Sequence, residues 1–554
     1  MKAVLTIVAG LALSIVEVSA QTSGTTGSLS WNYNESSKEL TITGTGAMPD
    51  YALGQTPWES FKENITGIKL GEGVTSISNN AFCNCVRIEG IDLPNNVTRI
   101  GEAAFQSCIS LETIALPASV KSIGEGAFEE CAQLTTITLN EGLETIDGFA
   151  FQECSRLSEV KLPSTLRTIG RWSFGGCAEL TSIEIPAGVT RICDNAFGSC
   201  SQLQALHLHE GLLAIEESAF NACEALQEVT LPASVNELGF GVFCDCKQLT
   251  RINVKAGNTA YVAEDGILYN KEKTILLQYP AGKKGASFVI PGKADESFTI
   301  PSSITEIGDY AFGGNESLTE TTIHPQIKKI GAFAFVRCNE LKQISVPAET
   351  ESIGESAFHD CLSLTAINVA EANPNYVSED GILYDKAKTQ LLQYPAGKQE
   401  TLYRAPKSLE VVSNFGFFEN QALQYVKLPG GLRQLGNFAF GWCKNLKQLT
   451  ISVADPSTIK MGMIVFFRGS SAVPCTLRVP IGSKALYEAA EQWADFAPNI
   501  EEFEPVGIHQ IETDAASTAG KQRIYDLNGN LQQGPLSKLP DGLYIINGKK
   551  IIKK

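Results

Sequence analysis

The sequence predicts a β-rich solenoid in which 23-residue repeats stack as successive coils. A phenylalanine recurs every 23 residues, and a cysteine follows each of these phenylalanines by three positions. Apolar residues also recur at fixed offsets between them. A constant period of roughly 20–29 residues with leucines at set offsets is typical of a leucine-rich repeat. The phenylalanines are Phe82, Phe105, Phe128, Phe151, Phe174, Phe197, Phe220 and Phe243, and the cysteines are Cys85, Cys108, Cys131, Cys154, Cys177, Cys200, Cys223 and Cys246.

Each repeat is expected to contribute short parallel strands and one short helical turn. In the unit at 111–128, Ile114 and Leu116 alternate with polar residues, as in a strand with one buried face. Pro117 ends this strand, because proline lacks the amide donor that a sheet needs. A second extended piece follows at 120–123. The Ala-Phe-x-x-Cys segment is predicted to form a helical turn that places its phenylalanine in the core.

Residues 1–20 are interpreted as a signal peptide. Lys2 supplies the positive start, residues 3–16 form a largely apolar core, and a triplet at 18–20 precedes the expected cleavage site after Ala20. The alternative is a buried strand or helix. No later stretch of about 20 apolar residues exists, so we expect no transmembrane span in the mature chain.

Residues 21–64 are predicted to form an N-terminal cap built on a β-hairpin. The segments LSWNY (29–33) and ELTITGTG (39–46) flank a turn at 34–38. Trp58 and Phe61 would then close the open end of the core. A solenoid needs such a cap, because its first repeat otherwise exposes apolar surface.

The solenoid is expected over residues 65–504, with two similar hairpin inserts near 255–300 and 370–405. The segment NTAYVAEDGILYNKEKTILLQYPAGK at 258–283 closely matches NPNYVSEDGILYDKAKTQLLQYPAGK at 373–398. Asp-Gly turns between apolar runs predict a hairpin in each insert. Each insert is interpreted as a modified repeat that continues the stack. The alternative is a pair of protruding contact sites.

The C-terminal region departs from the repeat. The pattern loosens after Phe440, and residues 485–490 suggest a short helix that closes the stack near residue 500. Residues 505–518 are mostly polar and small, as in a linker. The tail at 519–554 is predicted to contain two or three short strands joined by Asn-Gly and Asp-Gly turns.

The cysteines are predicted to be mainly buried free thiols. Eight of the fifteen share one interior position in the uninterrupted run of repeats from Cys85 to Cys246, and Asn315 and Asn420 occupy that position in later repeats. Stacked strands lie about 4.8 Å apart, so disulfides between neighbouring repeats are the alternative. Two C-x-C pairs, beginning at Cys83 and Cys244, are weak zinc candidates because no second pair has metal spacing.

The charge argues against nucleic-acid binding. The net charge is −17 and the pI is near 5.0, whereas proteins that bind nucleic acids favour basic stripes. We interpret the acidity as thinly spread and as an aid to solubility.

No motif predicts an enzyme. There is no G-x-S-x-G elbow and no P-loop, and nothing singles out one of the many carboxylate pairs. His207 and His209 could share one side of a strand, but a solvated pair is favoured over a metal site. Residues 526–530 begin like a calcium loop, yet Ser537 stands where a bidentate glutamate is needed. We expect neither metal nor cofactor.

The remaining candidate for a functional site is the surface formed by outward positions of the first strand in each repeat. Stacking should place these side chains in parallel rows on the concave face, where solenoids usually bind their partners. The alternative is an inert, solvated sheet. The candidate ligand-binding residues are Thr113, Thr136, Thr138, Glu159, Lys161, Glu184, His207, Glu228 and Thr230, with Ser182 in the same rows.

The repeat L-x-x-I-x-L-P-x-x-V-x-x-I-G-x-x-A-F-x-x-C resembles the BspA-type leucine-rich repeat over about residues 65–500. The segment Gly-Thr-Gly-Ala-Met at 44–48 is similar to the N-terminal region of that family. This resemblance implies an exported bacterial surface protein with an adhesin-like role. Residues 524–529 and 542–545 resemble the C-terminal sorting domains that Bacteroidetes use in type IX secretion.

Two functional hypotheses follow. The first is an exported cell-surface binding protein that recognises a protein partner through the solenoid surface. The second is a structural envelope component without a specific ligand. A host or bacterial surface protein is the favoured partner, a glycan is left open, and nucleic acid is excluded.

Overall fold

The computed structural model confirms the predicted β-solenoid. It describes residues 22–284, 302–469 and 472–504, together with the backbone of four strands between residues 524 and 553. The predicted signal peptide and linker lie outside these described residues. Two compact units are distinguished, Met1–Lys386 with Leu392–Lys398 and Ala387–Leu391 with Gln399–Lys554. The division falls inside the stretch 65–504 that the sequence treats as one solenoid.

The first unit begins with the expected β-hairpin, to which one further strand is added. Ser23–Thr26 pairs antiparallel with Leu29–Asn34, which in turn pairs antiparallel with Glu39–Gly44. Glu39–Gly44 then pairs in parallel with Gly67–Leu70, the first strand of the first coil. The indole of Trp58 stacks on Phe82 with ring centroids 5.8 Å apart. The cap therefore continues both the sheet and the core. A short strand Gly46–Ala47 and a 3₁₀ helix Glu59–Asn64 complete it.

The regular coil of the first unit has a first strand and a second strand, each paired in parallel with its equivalent one coil away. Residues 159–161 form only a bridge, and Val74–Ser76 pairs with Gly46–Ala47 of the cap. In the register, Thr113 pairs with Thr136 and Ile123 pairs with Ile146, so equivalent positions of successive repeats lie side by side. The first strands are Gly67–Leu70, Gly90–Asp92, Thr113–Ala115, Thr136–Thr138, Ser182–Glu184, Ala205–His207, Glu228–Leu231, Arg251–Val254, Glu320–Thr322, Gln343–Val346 and Ala366–Val369. The second strands are Val74–Ser76, Arg99–Ile100, Ser122–Ile123, Thr145–Ile146, Thr168–Ile169, Arg191–Ile192, Ala214–Ile215, Glu237–Leu238, Glu306–Ile307, Lys329–Ile330 and Ser352–Ile353.

The third side of each coil is a run of tight turns where the sequence analysis expected a helical turn. Backbone amides along this side alternate between two kinds of acceptor. Cys83 N donates to Asn80 O three residues earlier, whereas Phe82 N donates to Ala104 O in the next coil. This alternation satisfies the backbone without a helix and ties each coil to its neighbour.

The interior is a stack of phenylalanine rings flanked by buried thiols. Phe105 and Phe128 stack with centroids 5.2 Å apart and an interplanar angle of 4°. The cysteines of this position are free, and their thiols donate to the phenylalanine carbonyl of the preceding coil, as Cys154 Sγ does to Phe128 O at 3.1 Å. In a later coil, Asn315 occupies the cysteine position, and its Oδ1 accepts a hydrogen bond from the backbone N–H of Leu318. The prediction of free buried thiols therefore agrees with the structure, with Cys193 only half-buried.

The two inserts form hairpins within the sheet system. In the first insert, Tyr261–Glu264 pairs antiparallel with Ile267–Asn270, which is followed by Ile275–Gln278. Ile275–Gln278 pairs in parallel with Glu306–Ile307, and Tyr279 stacks on Phe312 as the phenylalanines do elsewhere. The first insert thus continues the stack as a modified coil. The second insert contains Tyr376–Glu379 and Ile382–Asp385, and a strand Gln390–Gln393 lies where the two units divide.

The second unit contains the same three-sided coil and ends in a short helix. Its first strands are Leu402–Arg404, Tyr425–Leu428, Gln448–Ile451, Thr476–Pro480 and Ile500–Phe503, and its second strands are Val411–Val412, Gln434–Leu435 and Lys460–Met461. The helix is Lys484–Ala489, and two 3₁₀ helices are Pro456–Thr458 and Ala494–Phe496. The tail strands Ile524–Tyr525, Leu531–Gln532, Gly542–Ile546 and Lys549–Lys553 form one antiparallel sheet.

Candidate binding surface

The nine candidate residues of the first unit all lie exposed on the outward side of the first strands. The register places them in two adjacent rows that run along the stack. Thr113 pairs with Thr136, and Thr136 forms a single bridge with Glu159. In the second row, Glu184 pairs with His207. The rows therefore exist as the sequence predicts, although nothing in the structure identifies a ligand for them.

The sheet beneath these rows is interrupted, which the sequence did not predict. Regular pairing ends at Thr136–Thr138, and residues 159–161 contribute only the bridge from Glu159. Ser182–Glu184 pairs only with Ala205–His207, and a new pair begins at Glu228–Leu231. The second strands of the same coils form one seven-stranded sheet from Arg99–Ile100 to Glu237–Leu238. The candidate surface is therefore built of short blocks on a continuous support.

The two histidines of the candidate metal pair do not act together. His209 Nε2 lies 2.9 Å from Glu184 Oε1, and His207 is exposed in the same row as Glu184. Over residues 22–284, 302–469 and 472–504, no group of three or more His, Cys, Asp or Glu side chains is arranged to hold a metal ion. The histidine pair is thus part of the solvated surface.

Buried thiols offer no nucleophile. Desolvation by burial raises the pKa of Cys131 and of Cys200 to about 12, so the reactive thiolate is scarce at neutral pH. Both C-x-C pairs also have free thiols. The buried thiols therefore have a packing role, in which each fills a small apolar space and donates one weak hydrogen bond.

The second unit carries a chemically different face that the sequence analysis missed. In its register, Leu402 pairs with Tyr425, and Tyr425 pairs with Gln448. The neighbouring row contains Arg404, Lys427, Thr450 and Arg478, of which Thr450 is buried. We call these two rows, Leu402–Tyr425–Gln448–Thr476 and Arg404–Lys427–Thr450–Arg478, the basic face.

The local charge explains this difference. Residues 401–480 contain nine Lys or Arg and three Asp or Glu, a net charge of +6 in a chain whose total is −17. The expectation of thinly spread acidity is therefore wrong, because a charge average over the chain conceals this segment. A count of charges in a window moved along the sequence would have found it.

Two cations of the basic face are held against one aromatic ring. Lys427 Nζ lies 5.8 Å and Arg478 Cζ lies 5.5 Å from the centroid of Phe503, which is buried beneath them. A ring face attracts cations through its quadrupole. Arg478 Nε is also 3.9 Å from Glu501 Oε2. These contacts restrict the positions of both cations.

The second unit also has a wide cleft near its C-terminal helix. Its volume is about 1680 Å³, and its lining includes Met463, Ile464, Phe467 and Leu486, which are all exposed large apolar residues. The first unit has a smaller cavity of about 310 Å³ where the first insert replaces a regular coil. The lining of the wide cleft also includes the charged residues Lys460, Glu491 and Asp495.

The fold and the outward rows define a repeat scaffold that presents functional groups on an extended surface. The chain belongs to the family described as BspA type leucine rich repeat region. The family matches residues 58–181, 167–266, 293–382 and 399–477, more than half of the sequence. No curated protein matches the chain.

Several solved structures of bacterial proteins are similar to this chain. A leucine rich cell surface protein from Faecalibacterium prausnitzii is 24% identical, with 78% of this chain and 95% of that chain covered and a TM-score of 0.45. A leucine-rich repeat protein from Bacteroides ovatus is 21% identical, with coverages of 82% and 98% and a TM-score of 0.39. One from Eubacterium ventriosum is 24% identical, with coverages of 80% and 94% and a TM-score of 0.36.

In the part of the chain that the structure describes, no helix has the length and apolar character needed to cross a bilayer.

Proposed function

We propose that this protein is exported to the bacterial cell surface and binds a protein partner through the outward face of its first strands. The observation that carries the proposal is the pair of in-register rows on the first unit. Their side chains are exposed, polar and mixed in charge, as in Thr136, Glu184 and Thr230. Family membership supports a scaffold that works by surface recognition.

The size of the face suits a protein partner. Eight first strands from Gly67–Leu70 to Arg251–Val254 are arranged along one side of the first unit. At about 4.8 Å per coil, such a side extends for more than roughly 30 Å. A standard protein interface needs about 800 Å² on each partner, which a face of this length can supply.

The export part of the proposal rests on residues 1–20. Cleavage after Ala20 would leave Gln21 as the first residue of the mature protein. Cell fractionation followed by N-terminal sequencing would test this. Recovery of the chain in the cytosolic fraction with residues 1–20 attached would contradict it.

Binding can be tested with a charge-reversal variant of the rows. We expect the triple variant Glu159→Lys, Glu184→Lys, Glu228→Lys to lose at least about tenfold in affinity for any protein partner found in a panel of host glycoproteins and surface glycans, a change of roughly 1.4 kcal/mol. Surface plasmon resonance with the mature protein would measure it.

A matched control changes the same charge on another side of the coils. Glu102, Glu130 and Glu153 are exposed on the turn side, and their triple change to lysine should leave the affinity unchanged. Equal losses in both variants would indicate a general charge effect and would contradict recognition by the strand face.

The second candidate function is a structural envelope component without a specific ligand. The interrupted sheet favours it, because a face built of short blocks is a weaker platform than a continuous one. Deletion of the gene with undiminished cell adhesion, together with an altered envelope in electron micrographs, would support this role. We do not propose an enzymatic function.

A further inference from the structure

We propose that the basic face of the second unit binds an extended acidic segment of a partner protein, one that also carries apolar side chains. This inference rests on the proposed binding function and adds a partner chemistry to it. It concerns a different unit from the rows tested above, and it can therefore fail or succeed independently of them.

Charge complementarity favours an acidic occupant. The segment 401–480 has a net charge of +6. The row that begins at Arg404 contains three cations around the buried Thr450, and its one carboxylate is Glu501 on the adjoining strand, beside Arg478. The equivalent row of the first unit is mixed in charge, because Asp92, Lys161 and Glu184 stand in it beside His207 and neutral residues. Opposite potentials across an interface speed association and exclude wrongly charged partners.

The spacing of the row suits an extended chain. Arg404, Lys427, Thr450 and Arg478 belong to four successive first strands, so three steps of about 4.8 Å separate the two ends, roughly 14 Å in all. An extended peptide rises about 3.3 Å per residue. A segment of about five residues therefore spans the row and can place alternate side chains on it.

The face is partly organised before any partner binds. Lys427 and Arg478 rest against the ring of Phe503, and Gln448 Nε2 donates to Thr450 Oγ1 at 3.2 Å. Side chains that are already restricted lose less conformational entropy on binding. Arg478 is shared with Glu501, so Arg404 and Lys427 are the cations best placed to meet a new carboxylate.

The apolar residues beside the cations favour a peptide over an anionic polysaccharide. Leu402 is 46% exposed and Tyr425 is 41% exposed, and they are neighbours in register on the adjacent row. Tyrosine and arginine are enriched at the energetic centres of protein interfaces. A glycan acid has no alkyl side chain to cover Leu402, whereas a leucine or phenylalanine of a peptide does.

The test uses the full mature chain and a fluorescein-labelled peptide Glu-Leu-Glu-Phe-Glu-Leu-Glu. Fluorescence anisotropy should show saturable binding that weakens with added salt, since the contact is partly electrostatic. The same peptide with glutamine in place of glutamate should bind at least about tenfold more weakly.

Variants locate the site. Arg404→Glu with Lys427→Glu should reduce peptide affinity by about tenfold or more, and Arg404→Glu alone, at an exposed position, should reduce it severalfold. Lys460→Glu, at an exposed position on a second strand of the same unit, is the matched control and should bind the peptide as the parent does. Thermal unfolding of each variant would show that it is folded.

Three results would overturn the assignment. One is equal binding of the glutamate and glutamine peptides. Another is binding of polygalacturonate, abolished by the double variant, in the absence of peptide binding. A third is concentration-dependent self-association that the double variant removes, which would make a second copy of this chain the occupant. Loss of partner binding in the variants of Glu159, Glu184 and Glu228 would leave peptide binding unaffected.

Discussion

At the scale of single residues, each regular coil requires left-handed backbone at two positions, one two residues after its core phenylalanine, as at Asn84, and one two residues before it. Gly126 and Gly241 meet the second requirement with φ of +61°, but Phe149 and Trp172 adopt φ of +58° and +53° at the equivalent place. Left-handed backbone costs a side chain with a Cβ about 1–2 kcal/mol. The coil geometry imposes this conformation whichever residue is present.

Ile464 provides a test of this strain. It has φ of +47°, is branched at Cβ and is 53% exposed, so it contributes little burial to offset the strain. We expect Ile464→Gly to stabilise the protein by about 0.5–1 kcal/mol. Chemical denaturation monitored by tryptophan fluorescence would measure the change.

The control for this prediction is an isoleucine with similar exposure and ordinary backbone. Ile481 is exposed and has no positive φ, so Ile481→Gly should destabilise the protein through the greater freedom of glycine in the unfolded chain. A loss of stability for Ile464→Gly as large as that for Ile481→Gly would refute the assignment of strain.

At the scale of elements, an ion pair joins the coils on either side of the first insert. Arg337 Nη1 lies 2.5 Å from Asp245 Oδ2, and Arg337 Nε lies 3.4 Å from Asp360 Oδ2. Asp245 belongs to the coil before the insert and its side chain is only 7% exposed. This contact joins residues that are 92 positions apart and fixes the coils on both sides of the insert.

We expect Arg337→Met to destabilise the first unit, because it leaves the carboxylate of Asp245 buried without its cation. A buried pair that loses one partner costs about 3–5 kcal/mol, and the half-exposed guanidinium lowers this to about 2 kcal/mol here. The shift of the denaturation midpoint of the full chain would measure it. Adding Asp245→Asn should recover part of the loss.

Arg191 offers a matched control, since it also bridges two carboxylates. Its guanidinium contacts Glu216 and Glu237 at the surface, at 2.7 and 3.1 Å. Exposed ion pairs are screened by water, so Arg191→Met should leave the denaturation midpoint nearly unchanged. Similar shifts for the two arginine variants would show that burial of Asp245 does not matter.

At the scale of the whole molecule, the buried thiols couple stability to alkaline pH. Desolvation raises the pKa of Cys131, Cys200 and Cys361 to about 12, whereas an unfolded cysteine ionises near its usual value of 9. Below pH 9 these thiols are protonated in both the folded and the unfolded protein. Between about pH 9 and 12 only the unfolded state loses these protons, so stability falls as the pH rises.

The expected result is a steep decline of the unfolding free energy above about pH 9. Each such thiol contributes roughly 1.4 kcal/mol per pH unit in that range. The double variant Cys131→Ser, Cys200→Ser keeps a donor to the phenylalanine carbonyl but does not titrate there. Its decline should be shallower by about 3 kcal/mol per pH unit. Denaturant titrations at several pH values would measure the unfolding free energy of both proteins. The same decline per pH unit in the variant and the parent would contradict this account.

Much of the fold could be predicted from the sequence because every coil repeats one environment. Phe105 and Phe128 occupy the same slot in successive coils, so a constant period is sufficient to place both in the core. The same holds for Cys154, whereas the hairpin of the cap was predicted from two apolar segments flanking a turn. The period becomes uninformative where coil length changes. Phe466 stacks on Phe440 at 5.9 Å although the coil that joins them is longer than a regular repeat.

The sequence by itself determined the inward side of this protein: the repeat, the phenylalanine stack and the buried thiols. Only the tertiary structure decided the outward side. Arg478 joins Thr450 in one row although the coil between them exceeds the regular period, and Phe503 lies beneath Arg478 from yet another strand. The physical reason is that burial follows a local period, whereas a surface is assembled from whichever residues the register brings side by side.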